Sequence, residues 1–171
     1  MNKNYSKILS QIKFIRENDP EFKVFGSYRW SYTYKPVTDS DIDYVEKKHQ
    51  IELPNDFKEF ILHVGFGAGP SYGVNLDTFL EVDKYEIECE DDEFNKPLDN
   101  GYIVVSEHGC GIETVLIIDG KHKGEIWQIN DFGVQKYADN YYEWYTKWLN
   151  VIVEVLNNEE GERITLITSN F

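Results

Sequence analysis

Cysteine is scarce: the 171 residues hold two, Cys89 and Cys110. Two are too few for a disulfide framework and they lack metal-binding spacing, so the sequence reads as a reduced, cytoplasmic chain. Long apolar runs are also missing. No stretch approaches the roughly 20 residues that a membrane-spanning helix needs. The opening MNKNYSKILSQIKF contains no apolar run of about 7–15 residues and no small-residue cleavage site, which speaks against a secretory signal. Basic residues are few: 17 Lys and Arg stand against 31 Asp and Glu, a formal net charge of −14. Coating DNA or anionic lipid requires the opposite balance, because phosphates are neutralised by lysine and arginine. The charge argues against nucleic acid and membrane as partners and suits steering toward a basic protein.

What is present is core material. Apolar residues make up 41% of the chain and aromatics 15%, enough for one globular domain of this length. Charge is uneven. Residues 1–36 hold seven basic and three acidic side chains, for +4, which leaves −18 for the remainder. The densest acidic run, residues 81–93, has eight carboxylates and one lysine.

Periodicity places the elements. Tyr5, Ile8, Ile12 and Ile15 recur at helical spacing, and Asp19-Pro20 stops that helix. In FKVFGSYRWSYTYKP, Tyr28, Trp30, Tyr32 and Tyr34 alternate with polar or basic residues, which predicts a strand with its aromatic face packed under the first helix. Thr38 or Ser40 caps a second helix with Ile42 and Val45 on its buried side. Leu53-Pro54 leads into a third that buries Phe57, Phe60, Ile61 and Val64. Gly65, Gly67, Gly69 and Pro70 end it and open a loop through Gly73. Three apolar segments, residues 102–105, 112–118 and 125–129, are separated by turns too short for a helix and predict antiparallel neighbours, the middle one covered on both faces. Asn130-Asp131-Phe132-Gly133 is a further turn. Asp139 or Asn140 caps a last helix, residues 141–156, with Trp144, Trp148, Leu149, Ile152 and Val155 on its buried stripe. The fold class is α+β: an antiparallel or mixed sheet of about four to six strands with helices packed around it. Residues 1–36 form an N-terminal helix and aromatic strand extension, residues 37–158 the core, and residues 159–171 a tail that could add an edge strand. All three read as one compact domain.

No motif carries chemistry. His108 and Cys110 lie two apart in a turn with no helix behind them, which suits a small residue in a tight turn better than a thiol nucleophile. No CxxC, HxxxH or HExxH occurs, and the acidic run lacks the turn of a calcium loop, so no metal is expected. The glycines at 65, 67 and 69 follow a helix C-terminus, where the dipole repels anions, and no GK[ST] is present; no nucleotide or other cofactor is expected. No catalytic residue is nominated. The acidic run remains, either a solvated loop or a partner-binding surface. Its candidate contacts are Glu86, Glu88, Glu90, Asp91, Asp92 and Glu93, with Tyr85 and Phe94 as aromatic anchors.

An ordered set of motifs resembles the SUKH superfamily, which unites bacterial toxin-immunity proteins with fungal cell-wall-synthesis regulators of Smi/Knr type. They are Ile42-Asp43-Tyr44-Val45-Glu46, then Ile51-Glu52-Leu53-Pro54-Asn55-Asp56-Phe57-Lys58-Glu59-Phe60-Ile61. Val64-Gly65-Phe66-Gly67-Ala68-Gly69-Pro70-Ser71-Tyr72-Gly73 follows. Gly109-Cys110-Gly111, Gly124-Glu125-Ile126-Trp127 and Tyr142-Glu143-Trp144-Tyr145-Thr146-Lys147-Trp148-Leu149 complete the order. The resemblance covers about residues 30–150 and implies a non-catalytic α+β domain that neutralises a toxin, such as a nuclease, by direct binding. A regulatory or scaffold module that binds a host protein is the alternative. Oligomeric state is left open.

Overall fold

The computed structural model describes residues 3–73 and 101–158. Four helices and one four-stranded antiparallel sheet make up the described part. In chain order they are α1 (Tyr5–Asn18), α2 (Asp39–His49), α3 (Asn55–His63), β1 (Tyr102–Gly109), β2 (Ile112–Ile117), β3 (Ile126–Asn130), β4 (Gly133–Ala138) and α4 (Tyr141–Asn157). The strands form a meander in the order β1-β2-β3-β4. The α+β class is as the sequence predicts.

Local signals set the helix limits. The Asn4 side chain accepts the Lys7 amide at the start of α1. Thr38, rather than Ser40, caps α2 in a reciprocal capping box with Asp41. Gln50 closes α2 in the left-handed conformation. Glu46 Oε1 accepts the Leu53 amide at 2.8 Å and Lys58 Nζ at 3.1 Å, which fixes the turn into α3. At α4 the cap is Asn140, whose side chain accepts the Glu143 amide.

The helices cover one sheet face. α1 and α3 pack on α4, and α4 on β4. Ile8, Ile12 and Ile15 from α1 join Phe57, Phe60, Trp144 and Trp148 in a main core that also takes Ile103, Leu116 and Ile126 from the sheet. Tyr102, Val115 and Ile117 form a second cluster with Trp127, Ile129 and Val134 on the opposite face. Alternate residues of β2 therefore enter different cores, and Val115, Leu116 and Ile117 are all fully buried. This is the doubly covered strand that its apolar run predicts.

Two expectations need correction. Residues 22–35 do not form a strand. They fold as a 3₁₀ turn (Ser27–Arg29) and further turns, with positive φ at Phe22, Gly26, Ser31 and Tyr32. Their β contact is an isolated bridge from Lys35 to Phe66. Of the four aromatics expected to share a packed face, Tyr32 is buried, whereas Tyr28 and Tyr34 are exposed. The organiser is Asp19, only 2% exposed. Its carboxylate accepts the Lys23 amide at 2.8 Å, the Val24 amide at 3.1 Å and the Tyr32 hydroxyl. These bonds curl the chain back on the end of α1 and override the alternation. Secondly, β4 follows the predicted turn at residues 130–133. Its half-exposed pattern gives it no apolar run to announce it. The tail, residues 159–171, lies outside the described residues.

Candidate protein-binding surface

The contacts nominated from sequence, Tyr85, Glu86, Glu88, Glu90, Asp91, Asp92, Glu93 and Phe94, lie outside the described residues. Their flanks are described. Gly73 follows Tyr72, whose amide bonds to Glu107 O near the far end of β1, while Gly101 O accepts the Ile118 amide beside the start of β1. Tyr72 and Gly101 thus lie at opposite ends of this strand.

The loop that leads into it is fastened to β1. Ser106 Oγ donates to Pro70 O at 2.8 Å, His108 Nδ1 meets Ser71 Oγ at 2.8 Å, and the Tyr72 amide donates to Glu107 O at 3.3 Å. From the other side Trp30 Nε1 donates to Tyr72 O at 2.6 Å. Gly65 permits the approach of this loop to the bridge at Lys35. Its φ is +86°, and a Cβ there would sit 2.2 Å from Lys35 O.

The fastening builds an aromatic surface. Tyr72 packs against Phe25 at 5.1 Å and Tyr28 at 6.1 Å between ring centroids. The Arg29 guanidinium lies 4.8 Å from the Tyr72 ring centroid, within cation–π range, and 3.8 Å from Glu107. Beside them are the tips of both hairpins. Cys110 and Gly111 link β1 to β2 with positive φ at both residues, as in a type I′ turn. Phe132, at the β3–β4 tip, is 99% exposed. Asp131 adjoins Gly111 and brings the two tips together. Sequence reading missed this assembly because it treated Tyr28 as core and Phe132 only as part of a turn.

The thiol nucleophile also receives a geometric answer. Both ring nitrogens of His108 are engaged, Nδ1 with Ser71 and Nε2 with Thr114 Oγ1 at 2.7 Å, so neither is directed to Cys110. Burial pulls the His108 pKa down to about 4. Ser71 itself is 1% exposed, which denies a substrate access to its hydroxyl. Elsewhere, a cleft of about 190 Å³ lies among Gln50, Ile51, Glu52, Ile118, Asp119 and Lys123. It is below the roughly 300 Å³ of typical small-molecule sites.

Residues 36–149, about two thirds of the chain, match the SMI1 / KNR4 family (SUKH-1). The chain belongs to this family. No curated protein and no solved structure matches it. Within the SUKH-1 segment the ordered motifs do structural work. Glu125 is a hub that accepts Trp127 Nε1 at 2.9 Å and Lys136 Nζ at 2.8 Å, with His122 Nδ1 at 2.9 Å. Burial alone would raise its pKa, but these bonds outweigh it and hold the carboxyl below the ordinary range. The matched segment begins after α1 and the Asp19-organised loop. The aromatic surface is therefore composite: Phe25, Tyr28 and Arg29 precede the SUKH-1 segment, whereas Tyr72, Cys110 and Phe132 belong to it.

Proposed function

We propose that this SUKH-1 domain is a non-catalytic binding protein of the cytoplasm and acts as an immunity protein that neutralises a cognate toxin by direct contact. The observation that carries the reading is the placement of charge. Ten of the 31 carboxylates fall between residues 74 and 100, against two lysines. Eight of these carboxylates lie in residues 81–93 with Tyr85 among them and Phe94 beside them, a combination of steering charge and aromatic anchors that suits a protein interface. The run begins eight residues beyond Gly73, which adjoins the aromatic surface. Family membership supports a binding role.

In this reading the toxin is basic, such as a nuclease. Glu86, Glu88, Glu90, Asp91, Asp92 and Glu93 occupy the region where it would hold phosphates, and long-range attraction accelerates encounter. Co-expression with a toxin encoded in the neighbouring reading frame tests this. Rescue of growth together with a stable complex supports it. Absence of both overturns it, and capture of a host housekeeping protein in place of a toxin reassigns the chain to the regulatory or scaffold role of the fungal relatives.

A further inference from the structure

The hairpin-tip end of the sheet combines two features that suit contact with another molecule. The first is exposed aromatic area. Tyr28 is 63% and Phe132 99% exposed, and both lie beside Tyr72 or the tip that adjoins it. The second is like charge at close quarters. Glu107 and Glu113 are directly opposed in the β1–β2 ladder, an arrangement that destabilises a strand pair. Burial first, and then the Glu107 charge, push the Glu113 carboxyl above its ordinary pKa. Asp131 stands on the neighbouring tip beside Gly111. Among the described residues Arg29 pairs with Glu107. Its contact with Glu107 is long, at 3.8 Å, and both side chains are at least half exposed. Such a pair contributes little and leaves the carboxylate available.

We propose that this end of the sheet is a docking surface for an arginine-bearing segment of a protein partner, which rests guanidinium groups on Tyr28 and Phe132 and pairs their charge with Glu107, Glu113 and Asp131. Arg29 shows the mode within the chain, since its guanidinium already lies over the Tyr72 ring and within reach of Glu107. A nucleic acid fits poorly, because its phosphates would meet three carboxylates. A second copy of the chain fits poorly as well, because a two-fold contact would set those carboxylates against themselves. The inference rests on the binding role proposed above and assigns it residues other than 81–93, and their composite origin gives partner selectivity a physical basis. Tyr28, and Arg29 beside it, come from the segment preceding the matched family region.

The test is an NMR titration of the full chain with the synthetic peptide Arg-Gly-Arg-Gly-Arg at low salt, with Glu-Gly-Glu-Gly-Glu as control. The arginine peptide should shift the amides of Tyr28, Tyr72, Cys110 and Phe132, and the glutamate peptide should not. Tyr28→Ser combined with Phe132→Ser should weaken binding by about fivefold, as expected for the loss of two exposed cation–π contacts. Glu107→Gln combined with Glu113→Gln should weaken it and reduce its salt dependence, while the like-charge strain in the ladder is relieved. Shifts confined to other surfaces, or unchanged affinity in both double variants, overturn the proposal. The two readings fail separately. A toxin neutralised equally well by the double variants removes this surface and leaves the immunity role standing. Peptide binding here without toxin rescue does the reverse.

Discussion

His108 Nδ1 lies 2.8 Å from Ser71 Oγ, and this contact ties the glycine-rich loop to the first strand. Thr114 Oγ1 engages the other ring nitrogen at 2.7 Å. Burial holds the pKa at about 4, against about 6.5 for an unfolded histidine. Well above pH 6.5 both states are neutral and stability does not depend on this group. As pH falls from 6.5 to 4 the unfolded chain takes up the proton first, so stability is lost across that window. The loss reaches about 2 kcal/mol at pH 5. Urea unfolding at several pH values should show this decline, and His108→Gln should flatten it between pH 4 and 6.5. An equal decline in the variant would assign the effect to other groups.

Asp19 should dominate the stability of the N-terminal turn. Asp19→Ala leaves the Tyr32 hydroxyl and two amides without their buried acceptor. It should cost about 3 kcal/mol, whereas Tyr32→Phe removes one bond to a charged acceptor and should cost about 1.5 kcal/mol. Denaturant unfolding at pH 7 measures both. A cost for Asp19→Ala below that of Tyr32→Phe would contradict this role.

These two residues also show how far the sequence can be read. Ile8, Ile12 and Ile15 announce α1, Thr38 and Asp41 announce α2, and the apolar run of β2 announces a covered strand, because each signal lies within a few residues of its effect. The 22–35 turn depends instead on Asp19 reaching Tyr32 and on Trp30 reaching Tyr72, 42 residues away. Local alternation therefore misled. The aromatic surface is assembled from three distant stretches of chain, and only folding brings Tyr28, Tyr72 and Phe132 to one end of the sheet. The contacts nominated at residues 85–94 lie outside the described residues.

Cys110 occupies the first central position of the β1–β2 turn at φ +53°, where asparagine is preferred. Cys110→Asn should raise stability by about 0.5 kcal/mol, and Cys110→Val should lower it by about 1 kcal/mol, because a β-branched side chain tolerates positive φ poorly. Thermal unfolding under reducing conditions compares them. The opposite order would show that the thiol makes a contact stronger than the backbone preference.

Gly65 should be the least replaceable residue of the loop. Gly65→Ala places a Cβ against the Lys35 carbonyl in a left-handed conformation, whereas Gly109 has open space around its Cβ position at similar φ. Gly65→Ala should cost about 3 kcal/mol and Gly109→Ala about 1 kcal/mol, the latter from backbone strain alone. Equal losses in denaturant would show that the loop can move away from Lys35.

In the proposed role the domain acts by offering a negatively charged surface to a protein. Stopped-flow association of the purified chain with the toxin from its neighbouring reading frame tests it most directly. The expected result is a one-to-one complex whose association rate falls steeply between about 50 and 500 mM salt, the range over which screening becomes strong, and is slowed by Asp91→Lys with Asp92→Lys. A complex whose association rate ignores both salt and these substitutions would contradict it.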